Sequence, residues 1–419
     1  MGTVRVRRFV QSAGILVALV LLALVPAPAR AERPGSDREV QLVHPGESIQ
    51  AAIDRARPGG KVMIQPGVYR ETADPTNGLV ITKGIELVGL STPTRKVILE
   101  NSGGQKNAIA AVAADHGNCM GCHSSLAPPF PRLPGVKPSS GPTTYTITNL
   151  RVSGITMKDF DNNGLFARGV DGYVISDVHS VGNKNYGIFP VSSRNGVIEN
   201  CSVTGSNDSG IWVETSENVR VTHNLVEGNV NGFEISNSQD ILIAYNEVRG
   251  NTVGIASFFL PDIFGVQPFA RRYTIRDNHV HDNNKPNTAT PDAILSTVPP
   301  GTGILHVGVD GSVISGNLVE NNDFIGIALA DYCIVAQGPF ACGVDPTVPP
   351  AYIPLSGPEN NRIVDNVLHA NGLNPDTTSP FAFAASDLAL IAAGDQGNCY
   401  AGNVFSTAFS TIGVLPPCP

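Results

Sequence analysis

The segment Cys119-Met-Gly-Cys-His123 carries the most specific chemical signal in the sequence. Two thiols three positions apart, followed directly by a histidine, form the attachment sequence for c-type haem, in which the cysteines form thioethers and the histidine binds iron. Together with His116, the segment offers four ligands, His116, Cys119, Cys122 and His123, that equally suit copper or zinc. A disulfide between Cys119 and Cys122 is the third reading, and the sequence leaves all three open.

A second group of candidates consists of acidic, aromatic and cationic residues in the middle of the chain. The candidates for catalysis are Asp208, Glu214 and Glu234. The candidates for substrate binding are Phe166, Arg168, Lys184, Phe189 and Trp212. Carboxyl groups suit general acid–base chemistry and paired-carboxylate hydrolysis, aromatic rings stack on the apolar faces of sugars, and cations stabilise the charge that develops on a uronate. These side chains act together only if the fold brings them to one surface.

A repeat supplies that surface. Seven glycines recur at steps of 23, 23, 22, 22, 49 and 23 residues: Gly164, Gly187, Gly210, Gly232, Gly254, Gly303 and Gly326. Half a unit away runs a series of asparagines: Asn200, Asn224, Asn246, Asn278, Asn317, Asn366 and Asn403. This period, with short apolar runs between glycine and asparagine corners, is typical of a solenoid, and the leucine framework and helical periodicity of other solenoids are missing. The sequence predicts an all-β, single-stranded right-handed parallel β-helix.

The repeat also predicts which side chains point outward. Adjacent coils lie about 4.8 Å apart, and side chains alternate between the two faces of each strand. If the residue after each glycine points inward, as Ile188 and Ile211 would, the next one points outward. Successive coils then align the residues of one outward column: Phe166, Phe189, Trp212 and Glu234. The neighbouring outward column contains Arg168, Val191, Glu214 and Ser236. We expect an exposed groove formed by the aromatic and acidic members of these columns.

The start of the repeat region predicts a helix that caps the solenoid, and its sequence resembles a known family. Ser48 is the expected N-cap of a short helix whose apolar residues follow a helical spacing, and this helix would cover the end of the solenoid. The stretch from Val43-His-Pro-Gly-Glu-Ser to Pro66-Gly-Val-Tyr-Arg-Glu71 resembles the entry segment of secreted right-handed β-helix proteins of the pectate-lyase-like superfamily. The later coils are also similar to those of periplasmic proteins that help load copper into nitrous oxide reductase. The resemblance implies the fold, and it transfers no catalytic residue.

Composition and termini predict export. Arg5, Arg7 and Arg8 precede an apolar stretch that ends before the cleavage motif at Ala31, so residues 1–31 form the expected signal peptide. The mature protein would be secreted or periplasmic, with no transmembrane segment after cleavage. The formal net charge of −8 argues against nucleic acid as a partner. The expected β-helix covers 40–419, with an insertion at 113–143, loop excursions at 258–300 and 333–358, and C-terminal coils and a cap at 361–419.

The remaining cysteines fit an oxidising compartment. Cys333 and Cys342 bracket a short loop and are expected to form a disulfide, and Cys399 and Cys418 are expected to fasten the C-terminal tail. Cys201 lies in a predicted strand, where a buried free thiol is the expected state.

Three functions are consistent with these residues. The first is a protein that binds or modifies a polysaccharide, as a lyase, an epimerase or a glycoside hydrolase. The second is a non-enzymatic periplasmic factor that binds metal or haem. The third is a structural or adhesive surface solenoid. An open groove would favour the first function, and a bound metal or haem would favour the second.

Overall fold

A computed structural model describes residues 39–113, 147–260, 270–290, 294–336 and 357–419 of the 419-residue chain. Within these ranges, short strands recur in the order expected for coils, and each strand pairs in parallel with its counterpart in the next coil. The strands form three long parallel sheets, and the chain passes from one sheet to the next within every coil. The predicted parallel β-helix is confirmed.

The strands are given by sheet. The first sheet contains β1 (Val40–Val43), β2 (Lys61–Ile64), β5 (Glu86–Gly89), β8 (Ile147–Ser153), β11 (Val170–Ser176), β14 (Arg194–Glu199), β17 (Glu217–Thr222), β20 (Gln239–Ala244), β23 (Arg271–Arg276), β26 (Val313–Ser315), β29 (Arg362–Val364) and β32 (Cys399–Ala401). The second sheet contains β3 (Gly67–Tyr69), β6 (Val97–Glu100), β9 (Ile155–Lys158), β12 (His179–Val181), β15 (Ser202–Thr204), β18 (Leu225–Glu227), β21 (Glu247–Arg249), β24 (His279–His281), β27 (Leu318–Glu320) and β30 (Val367–His369). The third sheet contains β4 (Asn77–Ile81), β7 (Asn107–Val112), β10 (Asn163–Arg168), β13 (Tyr186–Val191), β16 (Ser209–Glu214), β19 (Asn231–Ser236), β22 (Val253–Phe258), β25 (Thr302–Val307), β28 (Ile325–Ala330), β31 (Ser386–Ile391) and β33 (Ala408–Ser410).

The interior of the stack is mainly apolar, with Ser257 and His306 as buried polar members of one inward column. The residues after the repeat glycines form an unbroken register along the third sheet: Ile188, Ile211, Phe233, Ile255, Ile304 and Ile327. All six are buried in one hydrophobic cluster, as the alternation of inward and outward positions predicts. Each coil buries its apolar residues against the coils on either side, so a coil depends on its neighbours for stability.

The repeat glycines are required by close approach between coils. None of the seven has a positive φ, so the left-handed corner expected for glycine does not explain them. A Cβ atom at Gly187 would lie 2.5 Å from the carbonyl oxygen of Gly210, and the same contact recurs between Gly232 and Gly254. The left-handed corners are formed instead by other residues, among them Asp177, Asn200 and His223.

Two long asparagine ladders run along the stack where one was expected, besides a shorter one through Asn77, Asn107 and Asn163. In the first ladder, side-chain amides hydrogen-bond from coil to coil at 2.9 to 3.0 Å, through Asn224, Asn246, Asn278, Asn317, Asn366 and Asn403. Asn200 is not a member, because it is exposed at a left-handed corner and Cys201 occupies the ladder position. The second ladder contains Asn229, Asn251, Asn283, Asn322, Asn371 and Asp387.

Both described ends of the solenoid are closed. Helix α1 (Ile49–Arg55) buries Ile49 and Ile53, and the Ser48 side chain accepts a hydrogen bond from the backbone N–H of Ala51, as predicted for its N-cap. At the other end a disulfide joins Cys399 to Cys418. Helix α2 (Tyr332–Ala336) and two short 3₁₀ turns, Ile294–Thr297 and Ala382–Ala384, lie between strands of the later coils.

Some expectations are corrected and others fall outside the described ranges. The segment 258–300 is not one loop excursion, because it contains β23 and β24, which continue the first and second sheets. The expected signal peptide 1–31, most of the insertion 113–143, and Cys342 lie outside the described residues.

Cys201 is a buried free thiol, as expected, and Cys333 is buried. Among the described helices, none combines the length and apolar character needed to cross a membrane.

Candidate functional site

The third sheet aligns the predicted site residues on its outer surface. Phe166 pairs with Phe189, and Trp212 pairs with Glu234, so these four residues belong to one outward column as expected. In the neighbouring column, Val191 pairs with Glu214, which in turn pairs with Ser236. We call the surface formed by residues of these columns, together with the adjacent Tyr186 and Asp208, the acid–aromatic patch. Its members are Phe166, Tyr186, Phe189, Asp208, Trp212, Glu214 and Glu234.

The aromatic members form a packed stack. The Phe189 and Trp212 rings are parallel within 2° with centroids 4.3 Å apart, and Phe166 lies 5.5 Å from Phe189. Tyr186 lies 4.8 Å from both Phe189 and Trp212, which places it against the side of the stack. Sequence reasoning missed Tyr186. The sequence does distinguish this residue: Tyr186 is an aromatic residue directly before the repeat glycine Gly187, where the neighbouring coils carry Asn or Ser.

The expected open groove is only partly present. Phe166, Tyr186, Trp212 and Asp208 are half-buried, but Phe189 and Glu234 are buried and Glu214 is completely buried. The prediction that the aromatic and acidic residues all lie in an exposed groove is therefore wrong for these three. The rings cover one another by stacking, and the carboxyl groups are held by neighbouring hydroxyl and amide groups. Solvent reaches the patch beside Tyr186, Asp208 and Trp212.

The Glu214 carboxyl group is fixed by hydroxyl donors. Thr215 Oγ1 donates to it at 2.7 Å, and the Ser236 hydroxyl is in a short hydrogen bond with its other oxygen. The indole N–H of Trp212 donates to the same Ser236 oxygen at 2.6 Å. Ser236 therefore links the Trp212 ring to Glu214, and the orientation of the aromatic stack depends on this acid.

Asp208 and Glu234 share one hydroxyl group. Ser209 Oγ lies 3.0 Å from Asp208 Oδ1 and 2.6 Å from Glu234 Oε2. A serine hydroxyl carries one proton, so it can donate to only one of the two carboxyl groups and must accept a proton from the other. The arrangement therefore favours one ionised and one protonated carboxyl group, connected through Ser209.

The electrostatics distinguish the two acids. Burial raises the pKa of Asp208 to about 6, and the hydrogen bonds from Ser209 and Tyr186 limit the rise. Burial, together with the nearby Asp208 and Glu214 carboxylates, raises the pKa of Glu234 well above its ordinary value. Burial acts on both acids, but the neighbouring carboxylates add to it at Glu234, so of the two groups Glu234 holds its proton more firmly. Environments that separate the pKa values of two neighbouring carboxyl groups are typical of general acid and base pairs.

The same environment raises the pKa values of Glu214 and Tyr186. Burial raises the pKa of Glu214 to about 7, and the hydroxyl donors Ser236 and Thr215 oppose the rise. The pKa of the Tyr186 hydroxyl is raised by burial first and then by the charges of Asp208 and Glu234. Tyr186 therefore stays protonated and donates a hydrogen bond to Asp208.

The predicted cationic residues are placed differently from expectation. Arg168 is buried, and burial lowers the pKa of its guanidinium group, so it is not an exposed partner for substrate. Lys184 is exposed and forms an ion pair of 2.6 Å with Asp161. This pair holds the ammonium group at the corner before β13.

The predicted metal or haem ligands His116, Cys119, Cys122 and His123 lie outside the described residues. Within the ranges that the structure covers, no group of three or more His, Cys, Asp or Glu side chains is arranged to hold a metal ion. The ligand set of residues 116–123 stays a prediction.

The three parallel sheets and the site on the outer face of one of them define the class of the protein. The chain has the fold of a right-handed parallel β-helix protein. Residues 136–261, which include the acid–aromatic patch, match the family model described as the right handed beta helix region. No curated protein sequence matches the chain.

Solved structures share the fold at low sequence identity. A mutant tailspike protein of E. coli bacteriophage HK620, in complex with a pentasaccharide, is 11% identical with a TM-score of 0.52, and the match covers 88% of this chain and 60% of the tailspike chain. The A-module of the mannuronan C-5 epimerase AlgE6 from Azotobacter vinelandii is 14% identical with a TM-score of 0.48, covering 88% of this chain and 94% of the module. At these identities the likeness concerns the fold alone.

Proposed function

We propose that the protein binds a carbohydrate on the acid–aromatic patch and hydrolyses a glycosidic bond there. The observation that carries this proposal is the pair Asp208 and Glu234, two carboxyl groups on one hydroxyl with pKa values displaced to different extents. Glycoside hydrolysis needs one carboxylic acid to protonate the leaving oxygen and one carboxylate to activate water or attack the sugar. The half-buried edges of Trp212 and Phe166 provide apolar surface for a sugar ring.

The residues take separate roles in this proposal. Glu234 is the general acid, because burial and the neighbouring carboxylates raise its pKa and favour its protonated form. Asp208 is the base or nucleophile, since its pKa rises only to about 6 and its side chain is half-buried, whereas that of Glu234 is buried. Ser209 positions both groups and connects them for proton return. Glu214 is a positioning residue that acts through Ser236 on Trp212.

Hydrolysis is preferred to lyase or epimerase chemistry for an electrostatic reason. Lyases and epimerases stabilise an enolate-like charge on a uronate and need a cation beside it. At the patch, three acids lie together, while Arg168 is buried and Lys184 is paired with Asp161. A neutral sugar avoids repulsion by the acids, so neutral polysaccharides are the preferred substrate class. A relative of the same fold, the HK620 tailspike, is known in complex with a pentasaccharide, which agrees with carbohydrate binding on this scaffold.

The proposal is tested by fluorescence and pH dependence. Trp212 is the only tryptophan in the chain, so a bound oligosaccharide should change the intrinsic emission of this residue. Release of reducing ends from a panel of neutral and uronate polysaccharides should rise as pH passes about 6, where Asp208 ionises, and fall at higher pH, where Glu234 loses its proton. Asp208→Asn should abolish reducing-end release at every pH, because an amide can neither activate water nor attack the sugar. A panel that changes neither the Trp212 emission nor the reducing-end signal would count against both binding and hydrolysis.

We also propose a second, separate role for residues 116–123, which rests on the sequence motif alone. If Cys119 and Cys122 hold haem, protein exported from cells that contain the haem-attachment machinery should show a Soret band that survives denaturation, because thioethers are covalent. Copper or zinc would instead appear in elemental analysis and leave with a chelator. A colourless, metal-free protein with Cys119 bonded to Cys122 would show that the motif is a disulfide.

A further inference from the structure

An apolar pocket lies on the outer face of the third sheet, next to the acid–aromatic patch. The outward column that carries Glu234 continues through Ala256 to Leu305 and Ala328 in the following coils. Ser236, which holds Glu214, pairs directly with Phe258. Leu305, Ala328 and Phe258 line the pocket. The pocket therefore begins one coil beyond the patch and shares its surface.

The walls of the pocket are almost entirely hydrocarbon. They are completed by Val298 and Phe381, from the segments that lead into β25 and β31, and by Phe324. The hydroxyl of Thr302, one of its few polar groups, already donates to the carbonyl oxygen of Pro299 at 2.7 Å. The space between the lining side chains, counted together with its open mouth, is about 640 Å³. Such a lining favours a hydrocarbon chain and offers little to a sugar.

We propose that this pocket binds the hydrocarbon chain of an amphiphilic glycoside whose sugar head lies on the acid–aromatic patch. The position of the head rests on the proposed function, whereas binding of the chain rests on the pocket itself. Leu305 is two coils from Glu234, about 10 Å along the stack. A short alkyl chain attached to a sugar at the patch spans this distance. The substrate class inferred for the site is thus a glycolipid or an alkyl glycoside.

A chain-length series tests the inference. Binding of n-alkanols and of n-alkyl β-D-glucosides, both with chains of increasing length and below their aggregation limits, is measured by calorimetry. In both series the affinity should rise about three- to fourfold for each added methylene until the pocket is full. If the affinity does not rise with chain length in either series, the inference is overturned, whether or not the sugar adds to the affinity. If the affinity rises with chain length but the glucosides bind no better than the alkanols, the hydrocarbon chain binds in the pocket and the sugar head does not bind at the patch.

A charged substitution on the pocket floor locates the chain. Leu305 points outward and is only partly buried, so Leu305→Glu leaves the interior residue Ile304 in place. The variant should lose the chain-length dependence, because a carboxylate on the floor disfavours hydrocarbon. The matched control is Leu318→Glu, at an outward position of the second sheet that is 37% exposed, and it should retain the full dependence. Ala328→Phe, which fills the pocket, should act like Leu305→Glu. An unchanged dependence in both pocket variants, with folding verified by circular dichroism, refutes the assignment.

Discussion

Replacement of Glu234 by glutamine is expected to lower kcat for glycoside hydrolysis by about 10²- to 10⁴-fold, with little change in KM. Glutamine has the shape of the protonated acid, and its amide can donate to Ser209 as the protonated carboxyl group does. It cannot deliver a proton to the leaving oxygen, so the loss falls on the chemical step. The measurement is reducing-end release from a polysaccharide that changes the Trp212 emission, compared between the parent protein and Glu234→Gln across the pH range.

The control for this variant is a glutamate of the same chemistry on another face. Glu227, on β18 of the second sheet, is paired with Arg249 at the surface, and Glu227→Gln should leave kcat unchanged. Glu214→Gln should chiefly raise KM and alter the Trp212 emission, since Glu214 acts through Ser236. Equal losses of kcat in the Glu234 and Glu227 variants would assign the effect to general destabilisation, and full activity in Glu234→Gln would exclude this residue as the acid.

The stability of the same variant provides an independent readout. The pKa of Glu234 is raised in the folded state, so between its unfolded and folded pKa values the folded protein holds a proton that the unfolded chain has lost. Stability therefore falls as pH rises through that window. Glu234→Gln removes the contribution of this carboxyl group to the fall in the free energy of unfolding as pH rises. Urea unfolding at pH 5 and pH 8 should show a smaller loss of stability for the variant than for the parent protein.

The scaffold of the site could be predicted from sequence because the repeat determines the register. The glycine steps place Phe189, Trp212 and Glu234 in one outward column, and the structure pairs Trp212 with Glu234 accordingly. The second asparagine ladder was also readable, because Asn229 and Asn251 each follow a member of the first ladder by five residues.

The burial and chemistry of the site could not be predicted in the same way. The register predicts that Ser236 lies beside Glu214, but it does not predict the direction of the Trp212 indole or the hydrogen bond from Thr215 that complete the enclosure of Glu214. The apolar pocket depends on Val298 and Phe381, which belong to segments between strands that follow no repeat. Periodicity predicts a side chain's column and face, but it contains no information on which irregular segment packs over that face.

Replacement of Ile211 by aspartate is expected to unfold several coils together. Ile211 is completely buried and lies between Ile188 and Phe233 in the core column. The substitution removes a large apolar side chain and places a carboxyl group where no hydrogen-bond partner exists in the apolar cluster, so the loss should be at least about 4 kcal/mol. Because each coil is stabilised by its neighbours, amide hydrogen exchange should lose protection in β13, β16 and β19 together.

The matched control introduces the same charge into the same coil at an outward position. Leu225 lies on β18 and is only partly buried, with its side chain facing away from the core. Leu225→Asp should therefore keep the protection pattern and the unfolding midpoint of the parent protein. If Ile211→Asp lost protection only in β16, the coils would be independent units. In that case the acid–aromatic patch, which draws its residues from four consecutive coils, would need contacts other than the shared core to hold Asp208 and Glu234 together.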